Sequence, residues 1–170
     1  MTNVEARGLT PDAGTMLDRP DFQEALRTIF EEKIPFCRAL QLKFRIVEGR
    51  AEVFFAKQDF MLGNTKLEVL HGGVTAAVLD SIAGVAILLK MVAMDPKPDL
   101  VTQLREFARI STIDLRVDYL EPARAERFIA TATVTRLGQR VANVQMALHD
   151  DTGTCVATGA AAFALRAPRH

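Results

Sequence analysis

Residues Leu70 to Met94 read LHGGVTAAVLDSIAGVAILLKMVAM, the longest apolar segment of the chain. The stretch predicts one long helix opening at His71-Gly72-Gly73. Val74, Val78, Leu79, Ile82, Val85, Ile87, Leu88 and Leu89 fall on nearly every side of the helical wheel, so the helix needs burial on most faces. Asp80 stands against that requirement. The positions one turn away are Ala76, Ala77, Ala83 and Gly84, and none carries a positive charge. A buried carboxylate without a partner is costly.

Working outward, 170 residues with 49% hydrophobic content suit a single domain with one substantial core. The 21 basic and 21 acidic residues balance, and one tyrosine with no tryptophan offers neither a phosphate-tracking surface nor a base-stacking platform. Nucleic acid is therefore not an expected partner. Cys37 and Cys155 form no CxxC or Cys/His cluster, so neither a disulfide framework nor a metal site is expected, and a reduced, cytoplasmic setting fits. The N-terminus lacks an apolar secretory region. Val74 to Met94 is long enough to cross a membrane, but Asp80 and Lys90 interrupt it, and the chain after it is strand-patterned. No membrane association is expected.

Residues 1–20 carry Pro11, Gly14 and Pro20 and read as a loose tail, leaving 21–170 as the domain. Asp21 is a candidate cap for a helix with Phe22, Leu26, Ile29 and Phe30 on one face, ending before Pro35. Leu40, Leu42, Phe44 and Ile46 alternate with polar residues, and after Glu48-Gly49-Arg50 the run Ala51, Val53, Phe55 completes a hairpin. Residues 57–70 read as a loop. Residues 95–107 read as a Pro-bounded connection with a helical turn or two. From Ser111 onward the period is two, in runs Thr112–Leu120, Arg127–Arg136, Arg140–His149 and Thr154–Leu165. Short breaks between strands imply antiparallel pairing. The expected architecture is α+β: about six antiparallel strands wrapped around one long helix, with small residues such as Ala76, Ala83, Gly84, Ala157 and Gly159 permitting close approach.

This order of elements, with HGG opening the central helix and an acid nine positions after its histidine, resembles the hotdog fold of acyl-CoA thioesterases. HGGVTAAVLDSIAGVA resembles the helix of the phenylacetate-pathway (PaaI-like) branch, and STIDLRVDYLEPA its following strand. GN six residues before LHGG is similar to YigI-like medium- and long-chain acyl-CoA thioesterases. The likeness spans roughly residues 36–165. It implies hydrolysis of an acyl-CoA thioester to free acid and CoA, with CoA as part of the substrate and no separate cofactor. By resemblance, the Gly72 amide polarises the thioester carbonyl, and Asp80 attacks it or activates water. His71, a catalytic candidate with Asp80 and Gly72, matches the family histidine and orients the loop or hydrogen-bonds near the thioester rather than acting as the principal base. Gly73 lets the acyl chain pass, and Thr112 stands where some relatives place a serine that helps hold the water. The family's asparagine six residues before the histidine is Thr65 here; either a one-residue loop adjustment brings Asn64, seven before, to the substrate, or Thr65 substitutes for it.

Helix geometry adds a constraint. At 1.5 Å per residue, Gly72 and Asp80 lie roughly 12 Å apart on one helix, too far to act on one carbonyl. Two helices meeting antiparallel across a twofold axis would bring the start of one to the acid of the other. The expectation is a homodimer with two composite sites, which the family sometimes doubles into a tetramer.

Taken singly, a histidine before two glycines is an ordinary helix start, and an acid can be held by a neighbouring loop. Their joint occurrence in this element order points to a site. Arg136, Arg140, His149 and the strand face Asp114, Arg116, Asp118 read as solvated or cross-strand paired. GxSxG, HExxH, Walker A and GxGxxG are all missing from the sequence. The competing expectation is a non-catalytic acyl-CoA-binding protein of the same fold.

Overall fold

A computed structural model describes residues 16–97 and 99–165. Of the tail expected over residues 1–20, residues 1–15 lie outside that description, while Met16–Asp18 form a 3-10 turn whose Leu17 is buried. Helix α1 (Pro20–Arg27) starts on a proline, whose missing N–H is no loss at the first helical position. Arg19 holds the capping position; Asp21, the expected cap, lies inside the helix and pairs with Arg19 at 2.6 Å. Phe22, Leu26 and Phe30 share the buried face, as their spacing predicts.

The single helix expected up to Pro35 is broken. After α1 the backbone widens into a π turn over Thr28–Lys33, and Pro35 opens the short helix α2 (Pro35–Ala39). Proline disfavours a helical residue before it, and Ile34 is accordingly extended (φ −86, ψ 108). The following hairpin, β1 (Lys43–Val47) and β2 (Arg50–Ala56), turns through Glu48 and Gly49, both at positive φ. Its first strand begins three residues later than the alternation from Leu40 predicts, because α2 ends in a left-handed Gln41.

The expected loop 57–70 contains a small antiparallel ribbon, β3 (Leu62–Asn64) and β4 (Val69–Leu70). Asn64 Oδ1 folds its turn by accepting from the Lys66 and Leu67 amides, both at 3.1 Å. Then come the long helix α3 (Gly72–Met94) and α4 (Leu100–Phe107), followed by β5 (Ser111–Tyr119), β6 (Arg127–Leu137), β7 (Val141–Asp150) and β8 (Cys155–Ala164). The four late strands match the period-two runs to within two residues at either end.

Six strands form one antiparallel sheet in the order β1-β2-β6-β7-β8-β5. The chain crosses from β2 through α3 to β5 at the far edge, returns to β6 beside β2, and fills the gap outward through β7 and β8 to β5. Helix α3 touches β2, β5, β6, β7 and β8, so it lies across the sheet as its apolar circumference requires. Its length and composition would also suit a membrane span, but Val78, Leu79, Ile82, Val85, Ile87 and Leu88 are buried in this core. The remaining flank is covered from the N-terminal segment and α4: the Phe30 and Phe107 rings stand 5.5 Å apart between centroids, and Cys37 Sγ lies 3.9 Å from Ser81 Oγ. Full burial of side chains such as Phe128, Leu79 and Ile82 stabilises by about 1.5–3 kcal/mol each.

On β7, Ala142, Val144, Met146 and Leu148 alternate inward, and Ala157, Gly159, Ala161 and Phe163 do so on β8. Gly159 sits where β5, β7 and α3 all come close. A Cβ there would stand 3.1 Å from Arg116 O and from Met146 Cε, and 3.4 Å from Leu79 Cδ1. Helix α3 itself is capped by a histidine: His71 Nδ1 accepts from Gly73 N at 2.9 Å.

Two stability outcomes follow from these contacts. Gly159→Val overpacks the helix–sheet contact and is expected to lower unfolding free energy by about 1–3 kcal/mol in urea melts. His71→Ala removes a cap and is expected to lower it by about 1 kcal/mol.

Candidate active site

The start of α3 can be read as a ledger of amides. The first N–H groups of a helix have no intrahelical acceptor. Here Gly73 N–H donates to the His71 ring, Val74 N–H to His71 O at 2.9 Å, and Thr75 N–H to the same oxygen at 3.3 Å. That leaves the Gly72 N–H as the first-turn amide with no acceptor among the described residues. It is half-buried, at the positive end of a 23-residue helix. Such a donor is suited to an oxygen that gains negative charge.

His71 is thus a framework residue in the subunit. Its ring nitrogen Nδ1 acts as an acceptor, and its own N–H is anchored to Met61 O at 2.7 Å. The glycines flanking it make room. A Cβ on Gly73 would stand 2.9 Å from His71 Nδ1, so this glycine is needed for the imidazole cap, whatever its relation to an acyl chain.

Two turns along, Asp80 finds the partner that its own helix does not provide. Thr112 Oγ1 donates to Asp80 Oδ1 at 2.9 Å. Strict alternation would place Thr112 on the outer sheet face with Asp114, Arg116 and Asp118. A register shift between Thr112 and Asp114 breaks that phase: Asp114 pairs with Ala162, while Thr112 pairs with inward-facing Phe163. The bulge at Ile113 therefore turns the hydroxyl to the helix. On the outer face, Arg116 and Asp118 pair with each other at 2.9 Å.

Tyr119, at the other end of β5, was not singled out by its sequence context. Its hydroxyl donates to Gly72 O at 2.8 Å, and a Cβ on Gly72 would stand 3.1 Å from the same hydroxyl. One edge strand thus touches both features of α3: Thr112 at Asp80 and Tyr119 at Gly72. Lys57 is a second residue that sequence reasoning missed. Its side chain, 8% exposed, donates to Arg124 O at 2.6 Å and to Glu68 O at 3.2 Å, and pairs with Glu126 at 3.1 Å. With Leu70 N–H on Ala123 O at 2.9 Å, it ties the 121–126 loop to the ribbon that delivers His71.

Asn64 is committed through Oδ1 to its own turn, as described above, so a substrate contact would have to come from its amide nitrogen. Burial pushes the Cys37 thiol above its ordinary range, with Ser81 pulling the other way, which disfavours a nucleophilic thiolate. Both cysteines are free. Among the described residues, no group of three or more His, Cys, Asp or Glu side chains is placed to hold a metal ion.

The chemistry is therefore an uncommitted helix-start amide and a hydroxyl-held carboxylate. Comparison with known proteins places the chain in a family. The sequence profile described as Thioesterase superfamily matches residues 67–157. The medium/long-chain acyl-CoA thioesterase YigI of Escherichia coli K12 is 34% identical over 145 residues, covering 83% of this chain and 94% of that protein. Acyl-coenzyme A thioesterase 13 of Mus musculus is 27% identical over 82% of this chain and 90% of its own. Among solved structures, a Shewanella oneidensis protein related to the thioesterase superfamily superposes with a TM-score of 0.79 at 32% identity, covering 85% of this chain and 95% of that one. The chain belongs to the thioesterase superfamily, as one of its hotdog-fold members.

Proposed function

We propose that this protein hydrolyses acyl-CoA thioesters to the free acid and CoA, in a homodimer whose sites each join the Gly72 amide of one subunit to Asp80 of the partner subunit. The observation that carries this reading is the spacing on α3. An uncommitted donor and a carboxylate held by Thr112 lie on one helix, roughly 12 Å apart by helix rise, and cannot meet within a subunit. The names of the relatives supply the thioester and the CoA.

The edge of the sheet supports the dimer. Strand β5 has a neighbour on one side only, and Ile113, Tyr119 and Leu120 on or beside it are 59%, 57% and 52% exposed. A nine-residue edge with such surface is a template for another strand. Antiparallel pairing with its own copy across a twofold axis would continue the sheet and set the two α3 helices antiparallel. Doubling to a tetramer would leave this site unchanged.

In the reaction, the thioester carbonyl oxygen accepts from Gly72 N–H, and negative charge grows on it as the tetrahedral intermediate forms. The Thr112 bond occupies Asp80 Oδ1 and leaves Oδ2 to act on the carbonyl carbon or its water. The carboxylate either takes a proton from water as it attacks, or attacks itself to give an anhydride that water opens. In both routes the C–S bond breaks, and CoA leaves as the thiol after gaining a proton. Exposed Phe60 and Leu67, on the segment leading to His71, offer apolar surface to a medium or long acyl chain.

Thiol release from decanoyl-CoA, followed with a thiol reagent, tests the activity. Asp80→Asn is expected to lower kcat by at least ~100-fold with dimer mass intact. Thr112→Val should lose roughly 5- to 10-fold, with Thr112→Ser near wild type. Wild-type protein that binds decanoyl-CoA saturably and releases no thiol would instead be a non-catalytic acyl-CoA binder.

Subunit mixing tests the composite site. Gly72→Pro deletes the donor at the first helical position, which proline suits, and His71 is already extended before it (ψ 132). The new Cβ would stand 3.1–3.2 Å from the exposed Tyr119 ring, which has to give by a few tenths of an ångström. Co-folding inactive Gly72→Pro with inactive Asp80→Ala should restore about a quarter of wild-type activity, since half the dimers would hold one intact site. No recovery from a mixture with verified heterodimers would overturn the composite site.

A further inference from the structure

We propose that Tyr119 is a positioning residue for the carbonyl-binding amide, acting through the Gly72–Gly73 peptide. The inference rests on the reading of Gly72 given above and adds a residue to it. The Gly72–Gly73 peptide is held at both ends: its C=O accepts from Tyr119 Oη at 2.8 Å, and its N–H donates to His71 Nδ1 at 2.9 Å. The preceding peptide, which carries the Gly72 N–H, is held through its own carbonyl, His71 O, which accepts from Val74 N–H at 2.9 Å and Thr75 N–H at 3.3 Å. The peptide before that is anchored by His71 N–H on Met61 O at 2.7 Å. Between these anchors lies Gly72, a residue whose own backbone torsions impose little direction.

The hydroxyl is more than the helix needs. A first-turn carbonyl already accepts the N–H four residues on, so the Tyr119 bond is not filling an empty acceptor. Burial in the subunit's own core does not explain Tyr119 either, since in the single subunit it is 57% exposed on the edge strand. A role in the dimer contact is separated from positioning by the dimer mass measured below. What it does contact is Gly72: a Cβ there would stand 3.1 Å from Oη and 3.2 Å from both Cε1 and Cζ. The ring therefore blocks one side of the glycine while the hydroxyl holds its carbonyl. Turning the Gly72 N–H away from a bound oxygen would have to displace both. A donor contributes to a charge-developing step in proportion to how little it must reorganise, so this restraint should appear in kcat.

The test compares Tyr119→Phe and Tyr119→Ala with Asp80→Asn, using decanoyl-CoA kinetics, dimer mass and melting temperature. Tyr119→Phe keeps the ring and is expected to lose roughly fivefold in kcat, the size of one neutral hydrogen bond, with KM within about twofold. Its melting temperature and dimer mass should match wild type. Tyr119→Ala frees the glycine as well and should lose more, with Phe recovering the stability but not the full rate. Wild-type kcat in Tyr119→Phe, beside an inactive Asp80→Asn, would overturn the positioning role and leave the site reading intact. A Phe variant altered only in melting temperature or dimer mass, with kcat per dimer unchanged, would make Tyr119 structural and overturn it equally. Full activity in Asp80→Asn would instead remove the site reading, and the role of Tyr119 with it.

Discussion

An α-helix with an apolar circumference has no face to give to water, and most of this molecule is the means of covering one. The sheet takes the broad side of α3, and the N-terminal helices and α4 take much of what is left. Small residues on β8, Ala157, Gly159 and Ala161, are buried against the helix side of the sheet, in keeping with the dense packing of protein cores. Once a helix is held this way, its two ends and any polar group on it have fixed positions relative to the surrounding strands. The helix start and Asp80 inherit their placement from the core.

The same burial explains why the polar chemistry sits at one border. Strand β5 is the last strand of the sheet, so the helix residues facing it are only partly covered, and a carboxylate there retains access to solvent and to a hydroxyl partner. Had Asp80 occupied the position of Leu79 or Ile82, both fully buried, it would have met apolar side chains on all sides. Distance and burial thus act together. The helix keeps the amide and the acid apart, and the sheet edge keeps both open toward the same side.

Much of this is legible in the residues. Apolar character on nearly every side from Val74 to Met94, interrupted by Asp80 and Lys90, requires a central helix, and four period-two runs with short breaks require an antiparallel sheet. Breaks in the earlier part were harder to read, because Pro35 can end one helix and begin another with equal chemical sense, and here it does both. The ribbon inside residues 57–70 depends on one side-chain oxygen, that of Asn64, choosing local amides. At the site, His71, Gly72 and Asp80 stand out by spacing. Tyr119 and Lys57 do not, since their roles come from contacts with backbone far away in sequence, which leave no periodic trace.

The bulge at Ile113 has a consequence for how such a strand can change over generations. Thr112 and Tyr119 are seven residues apart, an odd interval that a regular strand would send to opposite faces, yet both reach α3. The extra residue corrects the count. Substitutions along the outer face, at Asp114, Arg116 or Asp118, leave that count alone and are open to drift. A one-residue insertion or deletion between Thr112 and Tyr119 would swing one end of the strand to the wrong side while the other stayed in place. Side chains can vary here far more freely than length, and the strand is inherited as a measure as much as a sequence.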